Sequence, residues 1–210
     1  MDEARSGQKI FIVDDDEALR DSLVWLLGPH GYAVEVFGSA RDFLAAWNKD
    51  LVGCLVLDVR MPDMSGPELF EELARRHSAL PVIFITGHGD VPMAVSALKK
   101  GAVDFIEKPF AGDDMLRIID HCLAREREER ARRRAGTDIA RRLAQLTMRE
   151  RQVLDLIVEG RLNKQIAGTL GISIKTVEVH RSRVMEKMGV RSLAGLIRQI
   201  MSTETDEAPR

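Results

Sequence analysis

The segment Ile10-Phe11-Ile12-Val13-Asp14-Asp15 places two carboxylates directly after four consecutive apolar residues. Such a run has the length and composition of a buried β-strand, so the carboxylates stand where that strand ends. The same arrangement returns at Cys54-Leu55-Val56-Leu57-Asp58 and, with a basic side chain, at Asp104-Phe105-Ile106-Glu107-Lys108. Because parallel strands gather their carboxyl ends at one edge of a sheet, these side chains are expected to form one site.

Short apolar runs alternate with segments of helical period through residues 1–124, which is typical of βα units around a parallel sheet. We therefore predict an α/β domain with a five-stranded, doubly wound sheet over this range. The strands are predicted at 9–13, 33–37, 54–57, 81–86 and 104–107, and the helices near 16–27, 39–48, 66–76, 91–100 and 112–124.

Charge is unevenly distributed along the chain. Residues 1–124 carry 12 basic and 21 acidic side chains, whereas residues 143–202 carry 10 basic and 5 acidic ones. The basic part can therefore meet a polyanion. Between them, residues 125–142 are charged and lack sustained apolar heptads, which favours a solvated helical linker broken at Gly136 over a coiled coil. Its basic run could also touch phosphates, and residues 203–210 are predicted to form a disordered tail.

The two cysteines, Cys54 and Cys122, lie in apolar segments, which indicates buried, reduced thiols rather than a disulfide framework. No apolar run approaches the roughly 18 residues of a membrane-spanning helix. The amino terminus also lacks the apolar core of a secretion signal. We therefore expect a cytoplasmic protein without membrane contact.

The acidic residues at the predicted sheet edge have a specific chemistry. Asp14, Asp15 and Asp58 would repel one another, and their natural companion is a hard divalent cation such as Mg²⁺. Asp58 is the candidate acceptor of a phosphoryl group, since Mg²⁺ and the Lys108 ammonium can neutralise the charge of the transition state. We expect Asp15 to hold the ion directly, Asp14 to hold it through water, and the carbonyl of Arg60 to complete the coordination.

Two further residues complete the predicted site. Thr86 ends the fourth strand and could hydrogen-bond the phosphoryl oxygens, while the ring of Phe105 could change orientation with it. Asp16 and Glu17 are interpreted instead as solvated residues at a helix start. Strand ends are often polar because turns favour such residues. The convergence of five such positions on one edge nevertheless favours a site.

Residues 143–202 predict a small all-α domain of four helices. Thr147 and Glu150 have the spacing of a capping box. A short helix from Asn163, a turn and a second helix from about Lys175 follow in the order of a helix-turn-helix, whose second helix enters the major groove of DNA. The predicted DNA-binding residues are Asn163, Lys164, Lys175, Thr176, Val177, His180, Arg181, Arg183 and Lys187. Val184 and Met188 recur at helical intervals and are expected to face the core. A helical bundle with a charged surface is the alternative interpretation.

The first 124 residues resemble the receiver domains of bacterial two-component response regulators. The matching motifs are Val13-Asp14-Asp15, Leu57-Asp58-Val59-Arg60-Met61-Pro62, Thr86-Gly87-His88-Gly89 and Lys108-Pro109-Phe110. The resemblance implies a flavodoxin-like (CheY-like) fold and phosphorylation of Asp58 by a partner histidine kinase. It also implies a cis bond before Pro109 and dimerisation through the face of the fourth helix, fifth strand and fifth helix.

Residues 143–202 resemble the LuxR-type, or NarL/FixJ-type, helix-turn-helix. Glu150-Arg151-Gln152-Val153-Leu154, Asn163-Lys164-Gln165-Ile166-Ala167 and Thr176-Val177-Glu178-Val179-His180-Arg181 carry this match. The whole chain is most similar to the FixJ subfamily of response regulators. This resemblance implies a dimer that binds promoter DNA and activates transcription, with RNA polymerase as a further partner.

Two other functions stay open at this point. In the first, the chain is a phosphatase or phosphotransferase that uses Asp58 as a covalent nucleophile. Dehalogenase-like phosphatases carry a second aspartate two residues after the nucleophile, where this chain has Arg60. In the second, the first domain is a docking module independent of phosphorylation, which would not require the acidic, threonine and lysine residues together. We predict no enzyme activity beyond slow loss of the chain's own phosphoryl group.

Overall fold

The computed structural model describes residues 7–87 and 91–204, and the chain divides into two compact units, residues 1–129 and 130–210. The first unit contains the strands β1 (Lys9–Val13), β2 (Ala33–Phe37), β3 (Gly53–Asp58), β4 (Val82–Thr86) and β5 (Asp104–Glu107). Its helices are α1 (Glu17–Leu27), α2 (Ala40–Ala46), α3 (Gly66–Arg75), α4 (Val91–Lys99) and the beginning of α5 (Gly112–Ala144), with a 3-10 turn at Gly28–His30.

All neighbouring strands are parallel, in the order β2-β1-β3-β4-β5, which confirms the predicted flavodoxin-like sheet. Alternate residues of each strand point to opposite faces. One face packs against α1 and α5, and the other packs against α2, α3 and α4. The central strand β3 is buried along its whole length, so its last residue, Asp58, ends inside the sheet edge rather than on an exposed turn.

The predicted strand bounds are confirmed for β1, β2 and β5. The prediction for β3 is one residue short at each end, because Gly53 and Asp58 also belong to the strand. β4 begins at Val82 rather than Pro81, since proline has no N–H to donate to the ladder.

The helix α5 differs most from its prediction. It runs without interruption from Gly112 to Ala144, so the predicted break at Gly136 is wrong. A glycine costs a helix only about 1 kcal/mol relative to alanine. The beginning of the charged segment is also fastened to the first unit, because the side chain of Gln8 donates to the carbonyl of Leu123 and accepts from Arg127.

In addition to the end of α5, the second unit contains the four predicted helices. These are α6 (Met148–Val158), α7 (Asn163–Leu170), α8 (Ile174–Met188) and α9 (Leu193–Glu204). Their common core contains Val153, Ile166, Val184 and Met188, together with Ile139 of α5. The predicted inward orientation of Val184 and Met188 is therefore confirmed.

Local signals set the ends of these helices. The side chain of Thr147 accepts from the amide of Glu150, whose carboxylate accepts from the amide of Thr147, so the predicted capping box is present. Gly171 and Gly189 end α7 and α8 in the left-handed conformation that glycine adopts readily. The helix α9 extends two residues into the predicted tail, and residues 205–210 of that tail lie outside the described part of the chain.

Candidate functional site

Three charged side chains meet at the carboxyl edge of the sheet. Asp14 follows β1, Asp58 ends β3 and Lys108 follows β5. The Nζ atom of Lys108 lies 2.7 Å from Oδ1 of Asp58 and 3.1 Å from Oδ2 of Asp14. The two aspartates are only 6% and 1% exposed, whereas the lysine side chain is 32% exposed. Two nearly buried carboxylates therefore converge on one ammonium group that solvent can reach.

Backbone amides hold the second oxygen of each carboxylate. The amide of Asp16 donates to Oδ1 of Asp14 at 2.8 Å, and the amide of Arg60 donates to Oδ2 of Asp58 at 2.6 Å. These bonds fix the carboxylate planes so that the remaining oxygens face Lys108. The sequence predicted a role for the carbonyl of Arg60. It did not predict that the amide of Arg60 holds the Asp58 carboxylate.

The turn after β1 is built around Asp16. Its side chain accepts from the amides of Ala18 and Leu19 and thereby caps α1, which confirms that it serves the helix start. Arg20, in the first turns of the same helix, donates to the carbonyl of Asp14 at 2.7 Å. The beginning of α1 therefore holds Asp14 in place while its own acidic residue is used for capping.

The loop after β3 depends on a glycine. A Cβ atom at Gly66 would lie 2.2 Å from the carbonyl oxygen of Asp58, which leaves no room for any other residue. The start of α3 thus approaches the backbone of Asp58 directly. In the sequence, the position of Gly66 just before the proline of a capped helix gives no sign of this close approach.

The charges of the site influence one another. Burial raises the pKa of the Asp58 carboxyl, and the nearby Asp14 adds to this effect, while the hydrogen bond from Lys108 acts against it. Burial alone would lower the pKa of Lys108, but its hydrogen bonds to Asp58 and Asp14 outweigh burial and raise that pKa. One lysine therefore only partly offsets two buried carboxylates, and the more basic Asp58 oxygen is suited to attack an electrophile.

The third predicted carboxylate is placed differently. Asp15 is exposed, and within residues 7–87 and 91–204 no three acidic, histidine or cysteine side chains gather closely enough to hold a metal ion alone. Mg²⁺ typically takes only one or two carboxylates and completes its shell with water and substrate phosphates. The pair of Asp14 and Asp58 fits that donor set, and direct binding by Asp15 stays a prediction.

The two predicted switch residues lie on β4 and β5, which are neighbouring strands of the sheet. Thr86 is fully buried at the end of β4, and its hydroxyl donates to the carbonyl of Gly87 at 3.0 Å instead of reaching the carboxylates. Its own carbonyl accepts from the amide of Lys108. The peptide bond from Lys108 to Pro109 is cis, as the resemblance implies. Phe105 is half-buried against the core on the α2, α3 and α4 face, and movement coupled to Thr86 stays a prediction.

The second candidate site is the helix α8, preceded by α7 and the turn at Gly171. The side chain of Ser173 caps α8 by accepting from the amide of Thr176. Seven of the nine predicted DNA-binding residues fall into two groups. Those exposed are Lys164, Lys175 and Arg183, and those half-buried are Asn163, Thr176, His180 and Arg181.

Two residues of the predicted DNA-binding set lie elsewhere. Val177 is fully buried in the core of the second unit, so the prediction that its side chain contacts DNA is wrong. Lys187 donates to the carboxylate of Glu150 at 2.6 Å and to the carbonyl of Gln145 at 3.1 Å. The ammonium of Lys187 is thus engaged within the domain, and a DNA contact by this residue stays only a prediction.

The outward face of α8 includes residues that the sequence reasoning did not select. Val179, Ser182 and Glu186 recur at helical spacing with the predicted Lys175 opposite Val177, and all four are exposed, with Val179 at 45%. Their spacing was the signal that could have identified them. An exposed valine between polar residues is suited to contact a thymine methyl group in the major groove.

Comparison with protein families agrees with this geometry. Residues 10–120 match the response regulator receiver domain, and residues 144–200 match the bacterial regulatory proteins of the luxR family. The chain belongs to the two-component response regulators that combine a receiver domain with a LuxR-type DNA-binding domain. This confirms the resemblance stated from the sequence.

Individual relatives match along nearly the whole chain. The C4-dicarboxylate transport transcriptional regulatory protein DctR of Rhodobacter capsulatus is 49% identical over 90% of this chain and 97% of its own. The transcriptional regulatory protein FixJ of Bradyrhizobium diazoefficiens is 46% identical over 91% and 94%. The solved structure of the response regulator StyR is 44% identical, with a TM-score of 0.85 over 93% of this chain and 99% of that one.

No described helix is both long enough and apolar enough to cross a membrane.

Proposed function

We propose that this chain is a transcription factor controlled by phosphorylation of Asp58 by a partner histidine kinase. The observation that carries this proposal is the convergence of Asp14 and Asp58 on Lys108 at the sheet edge. An oxygen of Asp58 forms the new bond to phosphorus as the bond from phosphorus to the histidine nitrogen of the kinase breaks. The buried carboxylates and their backbone donors hold the acceptor oxygen in place for this step.

Mg²⁺ is the cofactor of this proposal, with Asp14, Asp58, the carbonyl of Arg60 and Asp15 as its predicted ligands. The ion would supply positive charge that neutralises the phosphoryl oxygens in the transition state. Lys108 supplies the second positive charge, and its exposed side chain can move from the carboxylates to the phosphoryl oxygens. Slow hydrolysis of the same phosphoryl group would return the chain to its resting state.

Phosphorylation would act on the rest of the receiver through Thr86 and Phe105. The hydroxyl of Thr86 would exchange its bond to the Gly87 carbonyl for a bond to a phosphoryl oxygen, and the ring of Phe105 would follow. A covalent phosphoryl group can shift such an equilibrium as far as it prefers one state. We propose that the preferred state dimerises through the α4-β5-α5 face.

The dimer would bind promoter DNA through two copies of α8. The exposed groups of α8 and α7 provide phosphate and base contacts, and the basic charge of residues 143–202 supplies general attraction to DNA. Transcription activation through contact with RNA polymerase belongs to the same proposal, as does a cytoplasmic location.

Two experiments test this function. Intact mass after incubation with acetyl phosphate and Mg²⁺ should reveal one phosphoryl adduct on the wild-type chain and none on Asp58→Asn. Selection from a random pool of DNA duplexes, with the full chain loaded with the phosphoryl mimic beryllofluoride, should enrich one duplex family. Labelling that persists in Asp58→Asn, or a pool that stays random, would contradict the proposal.

A further inference from the structure

The end of α5 is tied to the C-terminal end of the recognition helix α8. One guanidinium nitrogen of Arg142 donates to the carbonyl of Met188, the last residue of α8, at 2.6 Å. The final carbonyls of a helix have no partner within the helix. A cation there is also favoured by the helix dipole. Arg142 therefore satisfies a group that would otherwise need another donor.

The guanidinium of Arg142 lies close to the backbone of Gly189. Gly189 ends α8 in the left-handed conformation, and a Cβ atom at this position would lie 2.5 Å from the same Arg142 nitrogen. A second tie lies close by in sequence, because Lys187 donates to the carbonyl of Gln145 just after α5. The core of the unit also includes Ile139 of α5. Several contacts thus fix the end of α8 to the end of α5.

The neighbouring arginine gives a direct contrast. Arg141 lies on the same turn of α5, its side chain is 69% exposed, and it pairs with Asp138 of its own helix. Both arginines add the same charge to the unit, so their electrostatic attraction to DNA is similar. The hydrogen bond of Arg142 reaches α8, whereas that of Arg141 stays within its own helix.

We propose that Arg142 is a positioning residue for DNA recognition, and this inference rests on the proposed function. By holding the carbonyl of Met188, Arg142 fixes the direction in which α8 presents its outward face. Base contacts require their supporting groups to be held within about 0.5 Å of the productive geometry. Loss of this contact should therefore reduce discrimination between DNA sequences more than it reduces general attraction to DNA.

The test compares Arg142→Gln with Arg141→Gln in the full, beryllofluoride-loaded chain. The probes are the duplex that the wild type enriches from a random pool and a scrambled duplex of equal length, and fluorescence anisotropy gives both dissociation constants. We expect Arg142→Gln to lower the ratio of specific to scrambled affinity about tenfold, consistent with a lost hydrogen bond to a charged donor. Arg141→Gln should change the ratio less than about twofold, while Arg142→Lys should restore most of it.

A second pair of variants displaces the guanidinium without removing it. Gly189→Ala places a methyl group against Arg142, whereas Gly160→Ala imposes a similar left-handed strain at a position with no neighbour within 4 Å. This pair tests the role of Arg142 even if Arg142→Gln fails to fold. A loss of discrimination confined to Gly189→Ala is expected. Equal effects within either pair would overturn the inference while leaving the proposed function intact, whereas a wild type that enriches no duplex would refute both.

Discussion

Lys108 in the first unit and Lys187 in the second form ion pairs that look alike. Each lysine side chain is 32% exposed, and each ammonium lies within 2.7 Å of a carboxylate oxygen that is almost fully buried. The two ion pairs differ in the number of carboxylates per lysine and in the pKa of the carboxylate. Lys108 serves two carboxylates, and burial raises the pKa of Asp58. Lys187 serves one carboxylate, and its hydrogen bond, with those from Thr147, lowers the pKa of Glu150 to about 2.

The comparison separates a reactive site from a structural one. Lys187 and Thr147 donate to Glu150 and favour its charged form, so this carboxylate is already stabilised as an anion. Asp58 shares its lysine with Asp14, so the two carboxylates together have only one neighbouring ammonium group. A metal ion that arrives with the phosphoryl group would supply further positive charge. Whether a lysine is shared between two carboxylates therefore distinguishes the reactive site from the structural one better than the presence of an ion pair does.

The largest expected effect comes from removing the shared lysine. Lys108→Met should slow the labelling of Asp58 by acetyl phosphate on the order of 100-fold, the usual loss when one transition-state donor is removed. The rate can be followed by intact mass in excess Mg²⁺. Lys100→Met is the matched control, because Lys100 pairs with Glu71 on the receiver surface, away from the site. Equal rates for the two variants would mean that Lys108 has no chemical role.

Removing the charge of the structural pair should affect stability instead. Glu150→Gln keeps a side chain that can accept from Thr147 but loses the ion pair, so the second unit should lose about 2 kcal/mol of unfolding free energy. Urea unfolding followed by far-UV circular dichroism measures this loss, while the two tryptophans, Trp25 and Trp47, report on the first unit alone.

Asp155→Asn on the same helix is the control for Glu150→Gln. Its partner is Arg151 at 3.5 Å, and both side chains are more than half exposed. An exposed pair of this kind contributes less than about 0.5 kcal/mol. A loss as large as that of Glu150→Gln would remove the distinction between the buried and the exposed pair.

The same glutamate predicts a pH dependence of stability. Since folding lowers the pKa of Glu150 from an ordinary 4.5 to about 2, its contribution is complete above the ordinary value and is lost as the pH falls toward the lower one. Circular dichroism should therefore find that acid destabilises the second unit of the wild type more steeply than that of Glu150→Gln. Parallel pH profiles for the two proteins would contradict this assignment.

A substitution on the DNA-binding surface of the second unit should reduce DNA binding slightly without the loss of stability expected at the structural ion pair. Val179→Ala should weaken binding to the selected duplex about fivefold, since it removes roughly 1 kcal/mol of apolar contact, and should leave stability unchanged. Val158→Ala offers a matched control on α6, where the valine is 36% exposed. Similar binding losses in both variants, measured by fluorescence anisotropy, would show that Val179 makes no specific contact.

Most of the receiver fold followed from local patterns. Apolar runs predicted the strands, and the residues that end them predicted the meeting of Asp14, Asp58 and Lys108. The attachment of the beginning of the charged segment to the first unit could not be predicted, because Gln8 is separated from Leu123 by 115 residues and no local pattern signals their hydrogen bond. The same holds for the close approach of Gly66 to the Asp58 carbonyl.

The helix α8 shows where pattern reasoning failed. The helical period placed Val184 and Met188 inward, yet Val177, with the same spacing, was assigned to DNA along with its polar neighbours. Lys187 was assigned to DNA by its charge, although its partner Glu150 lies 37 residues earlier. Periodicity therefore predicted burial better than residue type predicted function.

Light scattering coupled to size exclusion, with and without beryllofluoride and Mg²⁺, would reveal whether phosphorylation of Asp58 governs dimerisation. The proposal that the acidic edge controls assembly predicts that the wild-type mass rises from monomer to dimer and that Asp58→Asn abolishes the rise. An unchanged wild-type mass, or a rise that persists in Asp58→Asn, would contradict the proposal that Asp58 phosphorylation governs dimerisation.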